Sequence, residues 1–148
     1  IKNVNWPARS ELIKKGKLAN KIDKNYVIIL DGAHNVSGAK ALSKVLSSID
    51  TEWQLIFGYL KTRKPADFLN ELKSITQKVI TTEITGQENS FSSKELFEII
   101  QKKGISVDKS KNLYEAIEIA SQNKLNVCIC GSLYLAGEFL KNNQTIPN

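Results

Sequence analysis

The only histidine of the chain, His34, follows Asp31 by three residues in the stretch "YVIILDGAHN" at positions 26–35. A carboxylate can accept hydrogen bonds or order a cation, and an imidazole can orient or briefly take a proton near neutral pH. Each residue also has a plainer reading. Asp31 can cap a helix or pair with a lysine, and His34 can be a hydrogen-bonded loop histidine. Asn35 suits the N-cap of a helix starting at Val36. Gly32 and Gly38 suit tight backbone geometry. The sequence has no GxxxxGK[ST] phosphate loop and no GxGxxG fingerprint. One histidine among scattered acids makes no metal cluster.

The elements that must hold these residues are legible as alternating runs. Strand-length apolar stretches fall at 26–30, 53–58, 78–82 and 126–130, with a shorter "ISV" at 105–107. Between them, helical spacing predicts helices over 36–49, 65–75, 92–104, 112–122 and 132–142. Ser92 with Glu95 forms a capping-box pattern, and Gly104 follows the last turn. Strands apolar on both faces, alternating with helices, imply an α/β fold: a mostly parallel, Rossmann-like sheet covered by helices on both sides. Residues 1–148 read as one domain, with an extra strand or hairpin in the opening segment, 1–25.

In such sheets ligands bind outside the carboxyl ends of the strands. The polar and small residues collect there: Asp31 to Asn35, Gly58-Tyr59, Thr81 to Glu83, and Gly131-Ser132. Ser132 is also a natural N-cap, and Tyr134 and Glu138 also suit a helix surface. The residues by themselves therefore define a polar pocket on an α/β scaffold and no particular reaction.

Hydrophobic residues make up 41% of the 148 and charged residues 24%, enough for a core without disulfides. Net charge is +6, but the lysines are scattered and lack interleaved aromatics, which argues against a nucleic-acid platform. Lys61, Arg63 and Lys64 could line the path of an anionic group, but surface charge is the preferred reading. Cys128 and Cys130 face one way on a strand and read as small buried hydrophobes in a reduced, cytoplasmic protein. No run approaches the ~20 apolar residues of a membrane span. The absence of Met makes the chain read as a piece of a longer protein.

Three ordered motifs, "NWPAR" (5–9), "ILDGAHN" (29–35) and "CGSLYLAGEFL" (130–140), carry a resemblance. The chain resembles the C-terminal domain of folylpolyglutamate synthase/dihydrofolate synthase, in the Mur-ligase superfamily. The resemblance implies an ATP-dependent amide ligase. It phosphorylates a carboxylate of dihydropteroate or a folate, and the amine of L-glutamate displaces the phosphate.

By the same resemblance, Arg9 and Asp31 contact ATP, and His34 lies near the incoming glutamate and the acyl phosphate. Ser132 and Tyr134 help hold glutamate. The family commonly has Gly where Ala8 stands, and the stretch from Arg9 to Asp31 is longer than in compact relatives. The phosphate loop and Mg²⁺ ligands are expected in an N-terminal ATPase-like domain of the same chain. The enzyme is expected to be a cytoplasmic monomer without nucleic-acid or membrane partners, and the isolated domain to be inactive. Two alternatives remain: a ligase domain for peptidoglycan precursors, which "GSLYLAGE" opposes, and a non-enzymatic basic domain that binds nucleic acid.

Overall fold

The computed structural model describes residues 9–144. Six strands form one sheet: β1 (Glu11–Leu12), β2 (Ile28–Leu30), β3 (Trp53–Phe57), β4 (Thr76–Thr81), β5 (Val107–Lys109) and β6 (Asn126–Cys130). Four α-helices connect strands, α1 (Val36–Ile49), α2 (Pro65–Asn70), α3 (Ser93–Lys102) and α4 (Leu113–Ala120), and α5 (Leu133–Asn142) follows β6. The spatial order is β1-β2-β6-β3-β4-β5. All neighbours run parallel except β1, which is antiparallel to β2.

The strand residues alternate between two cores. Leu30, Ile56, Ile80, Val127 and Ile129 face one side, where Ala116, Ile117, Ala136 and Phe139 of α4 and α5 cover them. Ile29, Leu55, Phe57, Val79 and both cysteines face the other, beneath α1, α2 and α3. Cys128 and Cys130 are free and buried, and burial pushes the Cys128 thiol up. The expected role as small core hydrophobes matches this placement.

The local signals set most boundaries. Asn35 Oδ1 accepts from Gly38 N at 2.8 Å and starts α1. Ser92 and Glu95 exchange hydrogen bonds of 2.8 and 3.0 Å at the head of α3. Two expectations need correction. Helical spacing predicts one helix over 65–75, but α2 ends at Asn70 and a 3₁₀ turn, Lys73–Ile75, follows. The buried residues Leu69, Leu72 and Ile75 recur every third position, which suits the tighter turn. The fourth parallel strand is Val107–Lys109 rather than 105–107. Pairing of Val79 with Val107 and Thr81 with Lys109 fixes it, not its own hydrophobicity.

The opening segment does supply an extra strand, β1, registered Glu11 to Leu30. The lysine-rich loop that returns to β2 is anchored by Asn143. Its Oδ1 accepts from Leu18 N and Ala19 N at 2.9 and 2.8 Å, and its Nδ2 donates to Lys15 O. The polar composition of "NQTIPN" (143–148) predicts a frayed tail. Asn143 instead is buried, because it satisfies backbone groups of a segment more than 120 positions away. Residues 145–148 lie outside the described residues.

Candidate active site

Strand order puts β6 between β2 and β3. Three segments far apart in sequence therefore end side by side: Asp31 to Asn35 after β2, Gly131-Ser132 after β6, and Gly58-Tyr59 after β3. Gly131 makes this junction possible. Its φ is +111°, and a Cβ there would lie 2.1 Å from Gly58 O. Its N–H donates to Ala33 O at 3.0 Å, tying the end of β6 to the loop after β2.

Asp31 is buried and its carboxylate is engaged. One oxygen accepts from Ser10 N at 2.7 Å and Ser10 Oγ at 2.9 Å, and the other accepts from Ala33 N at 2.7 Å. Ser10 has φ 51°, a left-handed geometry that costs a non-glycine residue about 1–2 kcal/mol. The two bonds from Ser10 to Asp31 offset that cost and hold Arg9, the preceding residue, at the rim. Both readings of Asp31 are therefore relevant: the carboxylate is a structural acceptor at the wall of a concavity.

His34 is exposed at the loop tip. Its Nδ1 lies 3.0 Å from Gly32 O. A carbonyl only accepts, so Nδ1 carries the proton and donates, leaving Nε2 as the free nitrogen. Tyr59 Oη donates to His34 O at 2.9 Å. Tyr59 is buried, and burial pushes its phenol up to about 12, opposed by the nearby Arg63. Its ring stacks on Phe57 at 5.2 Å and tilts against Phe68 at 5.4 Å.

Two concavities meet at His34. The larger, about 480 Å³, is walled by Arg9 and Asp31 on one side and by Leu42 and Val45 of α1 on the other. The smaller, about 160 Å³, is lined by Tyr59, Arg63, Ser132 and Tyr134. His34 and Leu133 stand in the walls of both. Ser132 is a helix cap, its Oγ accepting from Tyr134 N at 3.0 Å, while Tyr134 is exposed.

All five sequence-selected residues thus line these concavities, with Asp31 and Arg9 on one, Ser132 and Tyr134 on the other, and His34 in both. Of the first motif, Asn5, Trp6, Pro7 and Ala8 lie outside the described residues. Arg63 is exposed, as its surface-charge reading expects, and it also stands in the wall of the smaller concavity. Lys61 matches its surface reading, pairing with Glu95 at 3.4 Å. Tyr59 is a further residue the sequence reading left without a role. Its position directly after the strand-end glycine was the available signal. Among the described residues no group of three or more His, Cys, Asp or Glu could hold a metal ion.

An open, mostly parallel sheet with a two-part cleft at its carboxyl rim defines a Rossmann-like α/β domain. A family model described as dihydrofolate synthetase, C-terminal domain, matches residues 14–142, and the chain belongs to that family. A probable dihydrofolate synthetase of Schizosaccharomyces pombe is 25% identical over 155 residues, covering 95% of this chain and 35% of the relative. Among solved structures, Mycobacterium tuberculosis folylpolyglutamate synthase complexed with ADP and AMPPCP superposes with TM-score 0.79 at 21% identity, over 99% of this chain and 34% of that one. The bifunctional folylpolyglutamate synthase/dihydrofolate synthase of Yersinia pestis gives 0.74 at 20% identity, over 94% and 32%. The chain therefore spans about a third of the length of these relatives. The solved structures establish the likeness of fold.

Proposed function

We propose that this chain is the substrate-closing domain of an ATP-dependent ligase that joins L-glutamate to dihydropteroate or a folate. The observation that carries the reading is the position of His34 in the wall common to two concavities. Such a ligase must bring a nucleotide-derived phosphoryl group and an amine to one carbon from two sides. Neighbouring structures were solved with ADP or with AMPPNP and Mn, which supports nucleotide use in the family.

The residues fit these substrates. The larger concavity offers an apolar wall and the Arg9 guanidinium, suited to a planar base and to phosphate oxygens. The smaller offers Arg63, a cation without an ion pair among the described residues, next to the buried hydroxyl of Ser132 and the phenols of Tyr59 and Tyr134. Arg63 is placed to receive a carboxylate of the incoming glutamate through its planar fork. In the first step the substrate carboxylate takes the γ-phosphoryl group and ADP leaves. In the second, the amine nitrogen bonds to the acyl carbon, the C–O bond to phosphate breaks, and phosphate departs. His34 Nε2 is the free nitrogen near that carbon, available to orient the amine or accept its proton. We assign the Mg²⁺ ligands to the remainder of the full-length protein, and no step is routed through the ion.

The family match favours a pteroate or folate acceptor over a muramyl peptide. No helix of the described residues is long and apolar enough to cross a membrane. With two free cysteines, the protein fits a reducing cytoplasm, and we expect a monomer. The test is direct: the full-length protein with ATP, glutamate and dihydropteroate or a folate must form the amide with release of ADP and phosphate. Turnover with a muramyl acceptor and none with a pteroate or folate would overturn the reading. Amide formation by residues 1–148 alone would contradict the role of one domain of a larger enzyme.

A further inference from the structure

Leu133 is the first residue of α5, and 59% of it is exposed. A solitary exposed leucine ordinarily needs no explanation. This one stands, with His34, in the walls of both concavities. Its backbone is fixed on either side. Gly131 N donates to Ala33 O at 3.0 Å, Tyr134 N donates to Ser132 Oγ at 3.0 Å, and Ala136 N donates to Ser132 O at 3.1 Å. A large apolar side chain is thus mounted at the one point that belongs to both halves of the cleft.

On the ligase reading, this is where an acyl phosphate waits for the amine. Two nucleophiles compete for its carbon. Attack by the amine forms the C–N bond, breaks the C–O bond to phosphate, and yields amide, phosphate and a proton that a base must take. Attack by water forms a C–O bond and breaks the same bond to phosphate. It returns the original carboxylic acid, so ATP is consumed without product. Nothing at this point of the cleft requires a leucine for folding, since most of its surface is not buried. We infer that Leu133 sets the partition of the intermediate: its isobutyl group keeps water off the acyl carbon and leaves the amine as the nucleophile. An apolar group that excludes water from a reactive centre suppresses hydrolysis in this way.

The inference rests on the ligase reading, and the experiment separates the two. In the full-length protein at saturating ATP, glutamate and pteroate-type acceptor, phosphate released per amide formed is measured for the unaltered protein, Leu133→Ala, Leu133→Ser and Leu133→Met. Melting temperatures are recorded alongside. The unaltered protein is expected to give a ratio near one. Leu133→Ala and Leu133→Ser are expected to raise it about threefold or more, and Leu133→Met to restore it, because an apolar side chain of similar size returns. A ratio that stays near one in the Ala and Ser variants, whatever their overall rate, would overturn the inference and leave the ligase reading intact. So would a Met variant as uncoupled as the Ser variant. An unaltered protein that forms no amide would remove both.

Discussion

The Tyr59 hydroxyl donates a 2.9 Å hydrogen bond to the carbonyl oxygen of His34, across the end of the strand that lies between them. The end of β3 thereby fixes the loop after β2, and with it the origin of the imidazole. The stacked Phe57 and tilted Phe68 hold the phenol in place.

Tyr59→Phe keeps the ring packing and leaves the His34 carbonyl without this donor. A loss of about 1 kcal/mol in unfolding free energy is expected, read from the urea midpoint at unchanged m-value. In the full-length protein, turnover should fall further than this loss of stability explains, because the histidine loop is no longer pinned.

Burial raises the Tyr59 phenol from 10.0 to about 12. Between those values the unfolded chain has lost the proton that the folded chain retains, so stability falls as pH rises through that window. Below pH 10 the contribution is fully present. Tyrosinate absorbance should show one phenol ionising late, and Tyr59→Phe should remove that component and flatten the alkaline decline. A titration in which every phenol ionises at its ordinary value would refute this.

Asp31 and His34 should separate on mutation. Asp31→Ala removes the acceptor of three hydrogen bonds and is expected to cost about 1–3 kcal/mol. His34→Ala, at an exposed loop tip, should stay within about 0.5 kcal/mol of the unaltered domain while abolishing most turnover in the full-length protein. Parallel denaturation curves and rate measurements test both; equal loss of stability in the two variants would contradict the assignment.

Gly131→Ala should be severe, since its Cβ would meet Gly58 O at 2.1 Å with φ at +111°. Backbone strain and overpacking together predict a loss of about 3 kcal/mol or more. A thermal midpoint within a few degrees of the unaltered domain would show that the two strand ends can part cheaply.

Arg63→Ala in the full-length protein should raise KM for glutamate about 10- to 100-fold, the worth of a charge-assisted pair, with KM for ATP little changed. Arg63→Lys should recover only part of the loss, because an ammonium lacks the planar fork. A change confined to the ATP constant would place Arg63 elsewhere.

Local chemistry made much of this legible. Apolar periodicity announced α1, β3, β6 and α5 almost to the residue, because each buries a face set by its own side chains. Capping residues Asn35, Ser92 and Ser132 announced helix starts, because a backbone N–H must find an acceptor nearby. Where partners rather than side chains decide, the reading shifted. β5 follows the register of β4, α2 gives way to a 3₁₀ turn that buries Leu72 and Ile75, and Asn143 serves a loop at the other end of the chain.

The sequence by itself determined the alternation of strands and helices, the two-sided burial of the sheet, and the gathering of Asp31, His34 and Ser132 at strand ends. These are matters of neighbours and short-range periodicity. Only the tertiary structure decided that β6 inserts between β2 and β3, so that His34, Tyr59, Arg63 and Leu133 surround one cleft. Strand order depends on pairings between residues as far apart as Ile28 and Val127, and such long-range contacts leave no mark on any local stretch.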